Sequence, residues 1–469
     1  MVQDDRGAAL SQAEKSVIGE IWTSKRAYEN LVFLCDQVGN RWAGSESEHR
    51  AAQFLQTKAV EYGLQDVAVQ TFPLTGWRRG PTRLEVVSPV ARDVAAIALP
   101  YTPAARLEGE AIWVGQGEAE DFERLAGQIP GKIVLSAAES TPGPGQHSSH
   151  RREKFARAAA AGAVAFLFVN QNPGALAITG SLAAGFPAEI PGLGLPKESG
   201  DFIVRLLDAG PVRLRLQIGA EHFPTTSANV LGQIGSNGAG EFVLTGAHYD
   251  AHDIAVGALD NAAGAVVVLE AARALATVAD VLPIPIRIVL FGCEEIGLLG
   301  AWYHASQASS DLARCRFVLN VDSPIGPVPG NENLRLCGFP DLVPFFEELA
   351  QQMCYDLPVQ NRLNAYSDHF PYAIAGVPNG MLSSSSAGTG LIGRGWGHTP
   401  ADTVDKVSPK SLQTAATAVA RLLLRLALAE SWPGQHRSPS EMAAEVAASP
   451  IGWYVEQFGR YPFQPVDGS

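Results

Sequence analysis

Two histidines and five acids recur at the ends of apolar runs. "EFVLTGA" is followed by His248, Tyr249 and Asp250, "IRIVLFG" leads through Cys293 to Glu294 and Glu295, and "RFVLNV" ends in Asp322. Asp260 opens the alanine-rich stretch "DNAAGAVVVLEAARAL", and His398 stands in "GWGHTPADTVDKV". Each residue has an ordinary use. Asp260 can cap a helix, His248 can be a hydrogen-bonded core residue, the Glu pair can face a helix dipole, and Asp322 and His398 can belong to turns. Together these uses crowd several acids on one edge, which is costly unless cations neutralise them. Zinc accepts imidazole nitrogen and carboxylate oxygen, and a catalytic zinc keeps one position open. Two metals about 3.5–4 Å apart take a bridging carboxylate. Asp260 is the expected bridge, with His248 and Asp322 completing one site and Glu295 and His398 the other. Asp250, two residues beyond His248, is expected to orient its imidazole. Neighbouring residues at a strand end point apart, so Glu295 is assigned to metal and Glu294 to the general base. The expected cofactor is two Zn2+ per chain.

Elements must bring these residues together. After residue 222 the chain alternates strand and helix: strands at "EFVLTGA", "IRIVLFG", "RFVLNVD" and "GMLSSS", helices near 261–278, 296–308, 341–354 and 409–430. That alternation predicts an α/β fold on a mostly parallel mixed sheet, whose sites lie beyond the carboxyl ends of its strands. Residues 11–35 read as helical, and Ser45 with Glu48 signals a helix start, with a stop at Gly63. Residues 95–222 differ: short β-like pieces separated by Gly and Pro turns, with one alanine-rich helix, "REKFARAAAAGA". This stretch reads as an inserted domain. The expected layout is 1–94 as the first part of the catalytic domain, 95–222 as the insert, 223–432 as the catalytic core and 433–469 as a tail with no recognisable motif.

The blocks "GAHYD", "GALDNAAG", "FGCEEIGLLGA", "NVDSPIG", "YSDHFPY" and "GHTPADTVDKV" resemble, in order, those of the co-catalytic di-zinc aminopeptidase and glutamate carboxypeptidase family. The resemblance assigns metal-ligand and base roles to His248, Asp260, Glu294, Glu295, Asp322 and His398, in agreement with the roles reasoned above. It places "YSDHF", with Asp368, beside the substrate pocket. It also makes the insert a protease-associated domain, through "GQIPGKIVL" and "KFARAAAAGAVAFLFVN". The chain departs from the family's pattern at Leu259 and at "SPIG" after Asp322. The expected activity is hydrolysis of terminal peptide bonds of peptides or dipeptides, with aminopeptidase specificity preferred. Carboxypeptidase or dipeptidase specificity, a glutaminyl-cyclase-like reaction and a non-catalytic relative are the alternatives. A substrate carboxylate would need a cation, and Arg394 and Arg362 are the candidates.

Composition bounds the partners. The chain has 469 residues, 46% hydrophobic and 18% charged, with a net charge of −13, which argues against nucleic acid or an anionic membrane. No apolar stretch is long and uncharged enough to span a bilayer; "AVARLLLRLALAE" carries two arginines. A peptide substrate is the expected partner, and the oligomeric state is open. Five cysteines without a CxxC pair, and a first segment lacking a signal-peptide pattern, favour a cytoplasmic location. "HSSHRREKF" reads as a surface loop, and Ser367, Asp368 and His369 are too close in sequence to supply a catalytic triad. The Gly/Ser-rich 383–397 loop, just before His398, is a candidate pocket wall.

Overall fold

Fourteen strands join one mixed sheet among the described residues. The computed structural model describes residues 2–140, 147–235, 240–326, 329–384, 390–393 and 395–459; Arg394 and residues 385–389 of the 383–397 loop lie outside them. In chain order the strands are β1 (Gln65–Ser88), β2 (Arg92–Val94), β3 (Ile97–Ala98), β4 (Ala105–Trp113), β5 (Ile133–Ala137), β6 (Ala165–Val169) and β7 (Gly192–Leu195). They continue with β8 (Arg213–Ile234), β9 (Phe242–His248), β10 (Ile286–Phe291), β11 (Cys315–Val321), β12 (Glu332–Leu336), β13 (Val359–Asn361) and β14 (Asn379–Ser384). The spatial order is β13-β12-β14-β11-β9-β10-β8-β4-β5-β6-β7-β3.

The centre of the sheet, β14-β11-β9-β10, is parallel. Its strands are buried on both faces and therefore read as continuous apolar runs. Register sets the site: His248 pairs with Phe291, and Asn320 with Gly246. The residues that follow β9, β10 and β11 consequently emerge along one edge.

Helix Ala263–Ala276 covers this block and packs against helices Pro409–Leu428 and Val2–Trp22. It is buried from Ala263 to Leu275, as a helix apolar on all sides should be. Its start approaches β11 so closely that a Cβ on Gly264 would lie 2.6 Å from the Val321 carbonyl oxygen. Only glycine fits there. The 11–35 region forms two helices, Val2–Trp22 and Arg26–Val32. Helix Glu46–Glu61 starts at Ser45, whose hydroxyl accepts from the Glu48 N–H. The Glu48 carboxylate does not close the reciprocal box. It accepts from the Gly44 N–H (2.6 Å) and the Ser227 hydroxyl (2.7 Å).

Two features extend the sequence reading. β1 and β8 form an antiparallel ribbon from Gln65↔Gln233 to Ser88↔Arg213. This ribbon runs through both halves of the molecule, and residue 222, the expected end of the insert, lies inside β8. The insert's short strands pair in parallel from β4 to β7, with β3 antiparallel beside β7, and it carries helices Ala119–Leu125 and Lys197–Ala209 beside Arg151–Ala160. The tail is ordered through helices Pro439–Ala447 and Gly452–Phe458, and Met442, Val446, Ile451 and Tyr454 are buried.

Candidate metal centre

The carboxyl edge of the central strands gathers the acids and imidazoles into two adjoining groups. In one, ligating atoms of His248, Glu294 and Asp322 lie within 4.8 Å of each other; in the other, those of His252, Glu295 and His398 do. Asp260 lies between them. Its Oδ1 is 3.4 Å from His248 Nε2, and its Oδ2 is 3.4 Å from His398 Nε2. Asp322 Oδ1 is 3.7 Å from His248 Nε2, and Glu295 Oε2 is 3.1 Å from His398 Nε2.

Local structure explains each position. His248 is the last residue of β9, and Asp250 follows it into a loop. The Asp250 carboxylate accepts from the Glu294 N–H (3.0 Å) and the Glu295 N–H (3.2 Å), tying the end of β9 to the turn after β10. Its Oδ1 also lies 3.3 Å from His248 Nδ1, which leaves Nε2 aimed at Asp260 and Asp322. Asp322 Oδ2 accepts from the Ser367 hydroxyl at 2.6 Å. His398 Nδ1 donates to the Thr179 carbonyl (3.2 Å), so its Nε2 faces Glu295 and Asp260. Such contacts on the far nitrogen fix which nitrogen is a ligand.

Asp260 does not cap the helix. Helix Ala263–Ala276 begins three residues later, and Asp260 has non-helical backbone angles. Asn261 serves the helix start, its Oδ1 accepting from the Gly264 N–H. Asp260 is seated instead by Asp402, whose carboxylate accepts from the Leu259 N–H (2.7 Å) and the Asp260 N–H (3.1 Å).

The electrostatics are those of an acid-rich buried site. Burial pushes Glu294 well above the usual carboxylate range, and Glu295, Asp322 and Asp368 add to the rise against His248. Burial acts on Glu295 in the same sense, but the imidazoles of His252 and His398 outweigh it and hold that carboxyl well down. Asp368 is fully buried behind the cluster and does not line the cavity; burial and the neighbouring acids push it well up. Both Asp368 oxygens and both ring nitrogens of His248 and His252 lack hydrogen-bond partners among the described residues. Orphaned buried nitrogens facing carboxylates in a mixed N/O donor set fit divalent cations of the zinc type.

A cavity of about 490 Å³ opens onto Asp260, Asp322 and His398. The catalytic half adds Arg335 and Arg362 to its wall, and the insert adds His147, His150 and Arg151. Neither insert histidine joins the metal groups: His147 Nε2 lies 2.9 Å from Glu153, and His150 stacks on Tyr366 at 3.8 Å. The tail reaches the wall through Ile451.

Sequence reasoning passed over three residues here. His252 stands two beyond Asp250; the alternation His-x-Asp-x-His was its signal. Arg41, from "GNRWAG", is fully buried and donates to the carbonyls of Tyr249 (2.6 Å), Val256 (2.6 Å) and Gly257 (2.9 Å), clasping the loop between His248 and Asp260. Thr179 acts through its backbone carbonyl and leaves no side-chain signal.

A parallel α/β sheet with paired imidazole–carboxylate groups at its carboxyl edge, opening onto a cleft, is an arrangement that can hold divalent cations beside a substrate. Residues 229–423 match the model of Peptidase family M28, and residues 96–203 match the PA domain. The chain is thus similar to peptidase family M28 over its catalytic half and to the PA domain over its insert. It is 28% identical over 415 residues to aminopeptidase YwaD of Bacillus subtilis, covering 84% of this chain and 83% of that protein. It is 29% identical to mouse carboxypeptidase Q over 313 residues, 64% of this chain and 65% of that one, so it spans just under two thirds of that relative's length. Among solved structures, a peptidase M28 precursor from Shewanella amazonensis shares the fold with a TM-score of 0.75 at 24% identity, over 92% of this chain and 99% of that one. BSAP, a zinc aminopeptidase from Bacillus subtilis, superposes with a TM-score of 0.64 at 26% identity, over 85% and 93%.

Proposed function

We propose that the chain is a zinc-dependent aminopeptidase with two ions in its centre, one held by His248, Asp260 and Asp322 and the other by Asp260, Glu295 and His398. The observation that carries this reading is the placement of Asp260, whose two carboxylate oxygens each face a different histidine at 3.4 Å. When bound, two such ions polarise a peptide carbonyl and acidify a water between them. The chain's own residues do the rest. Glu294, on the His248 side, takes the proton of the attacking water and hands it to the leaving amine. Asp250 holds the Glu294–Glu295 turn and the His248 ring in one geometry. The zinc aminopeptidase from Bacillus subtilis supports both the metal and the N-terminal specificity.

Glu294→Gln keeps the shape but cannot accept a proton. It should retain both ions and lose turnover by about 10²–10⁴-fold. Glu295→Gln should weaken one ion first, with partial rescue by added zinc. Loss of an ion from the first variant and not the second would reverse the two roles. Near-normal turnover in both would refute the mechanism.

Arg335 and Arg362 favour a second reading. Both face the cavity, and neither guanidinium makes an ion pair or hydrogen bond among the described residues. Two such cations beside the centre suit a substrate carboxylate, as a dipeptidase or carboxypeptidase requires. Arg335→Met should then raise KM at least tenfold for dipeptides and leave C-terminally amidated substrates unchanged, since a charge-assisted hydrogen bond contributes about 1.5–3 kcal/mol. Equal effects on both substrate types would leave the aminopeptidase reading alone.

A further inference from the structure

We infer that His252 is a further metal ligand, binding through Nε2 the ion assigned above to Asp260, Glu295 and His398. The inference rests on the di-metal reading and adds a donor to one of its two positions. His252 Nε2 lies 2.9 Å from Glu295 Oε2, and the same oxygen lies 3.1 Å from His398 Nε2. The two imidazoles meet edge to face with centroids 4.4 Å apart. Both therefore turn a nitrogen toward one carboxylate oxygen, as ligands around a common ion do.

Nε2 meets Glu295 as an ion-pair partner would, without the alignment of a well-directed hydrogen bond. Nε2 is at hydrogen-bonding distance from Glu295, yet neither ring nitrogen of His252 has a hydrogen-bond partner among the described residues. The ring is 2% exposed, so water does not substitute. A buried imidazole left in this way is expensive, and a metal bond removes the expense.

The ring is also held in place. Trp42 stacks on it at 5.7 Å with an interplanar angle of 25°, and the Trp42 indole N–H is itself fixed on the Trp77 carbonyl at 2.8 Å. The next residue, Asp253, pairs with Arg79 through two bonds of 2.6 and 2.7 Å. Arg41 clasps the loop on both sides of His252. A strapped loop that presents one unpartnered nitrogen to two other donors is a prepared ligand position.

The consequence is an unequal pair. The His248 position has one imidazole among carboxylates. The His398 position would have two imidazoles with Glu295 and Asp260. Nitrogen-rich sets favour zinc, cobalt and nickel over manganese and magnesium. The position with the additional imidazole would then be the tighter and more selective one.

The test counts imidazoles and ions directly. X-ray absorption of the full-length protein loaded with two zinc ions should show about 1.5 imidazoles per zinc, from His248, His252 and His398; about 1.0 would overturn the inference. His252→Phe keeps the ring against Trp42 but has no lone pair. It should weaken one of the two zinc ions by at least roughly tenfold in chelator competition. It should also change the visible spectrum of the cobalt-loaded protein at that position. His398→Ala separates this inference from the reading beneath it. If His398→Ala loses an ion while His252→Phe binds both as the unaltered protein does, His252 is no ligand although the metal centre stands. If the unaltered protein binds no zinc, the centre itself is refuted and His252 falls with it.

Discussion

Asp250 concentrates more of the centre's geometry than any residue expected to touch metal, and replacing it with asparagine exposes this. The side chain is fully buried. The N–H groups of Glu294 and Glu295 donate to its two oxygens, and His248 Nδ1 lies 3.3 Å from one of them. Asparagine retains one acceptor oxygen and puts an NH₂ in place of the other. If the NH₂ faces the Glu295 N–H, the turn carrying the Glu pair is pushed off β9. If it faces the Glu294 N–H and His248, the imidazole is driven to protonate Nε2, the nitrogen aimed at Asp260 and Asp322. Either way one charge-assisted hydrogen bond is lost, about 1.5–3 kcal/mol, or roughly 10- to 150-fold in an equilibrium constant. Competition between the protein and a chromogenic zinc chelator at neutral pH reads this directly. Asp250→Asn should bind the His248-side ion weaker by that factor, with the other ion little changed. Unaltered affinity for both ions, together with unaltered turnover, would refute the role given to Asp250.

Three further outcomes follow from neighbouring features. Burial and surrounding acids push the Asp368 carboxyl well up, so Asp368→Asn should change zinc affinity less than threefold, in contrast to Asp250→Asn; equal losses in the two variants would count against that shift. Burial, with Arg287 nearby, holds His304 down at about 4. The unfolded chain therefore takes up a proton near pH 6.5 that the folded protein refuses until about pH 4, and stability is lost as pH falls through that window, by up to about 3 kcal/mol and less where the ring keeps contact with water. Denaturant titrations of His304→Gln should show a shallower acid loss, and parallel curves would count against it. Gly376, at φ +80°, leaves no room for a side chain: a Cβ would lie 1.8 Å from the Arg437 carbonyl oxygen. Gly376→Ala should cost about 2–4 kcal/mol and expose residues after 432 to limited proteolysis before the body unfolds; a protected tail would show that this contact does not dock it.

What the sequence revealed depended on burial. The four central strands were legible because a parallel sheet covered on both faces reads as uninterrupted apolar runs, and the acids and imidazoles interrupt those runs where the strands end. The β1–β8 ribbon was largely missed. Its middle, through "EHFPTT", is exposed or half-exposed, so two-sided contact with water removes the alternation that marks a strand. The insert helix Lys197–Ala209 hid behind the Gly/Pro turns before it. The structure brings together His248, Asp260, Glu295, Asp322 and His398, the residues that type and spacing single out. The ordinary alternative for Asp260, a helix cap, falls instead to Asn261. Arg41 and Thr179 act on backbone or through it from more than two hundred positions away, a relation that only the folded chain displays.

The span of the chain that closes the centre also sets when it closes. His248 is made early, but His398, and Asp402 that seats Asp260, follow about 150 residues later. At translation rates of about 5–20 residues per second, that gap lasts roughly ten to thirty seconds. During this interval the nascent polypeptide has its loop clasp, its insert and Asp260, but neither His398 nor the carboxylate that seats Asp260. The group of acids and imidazoles at the sheet edge is therefore complete only once the chain has been made up to its last long helix.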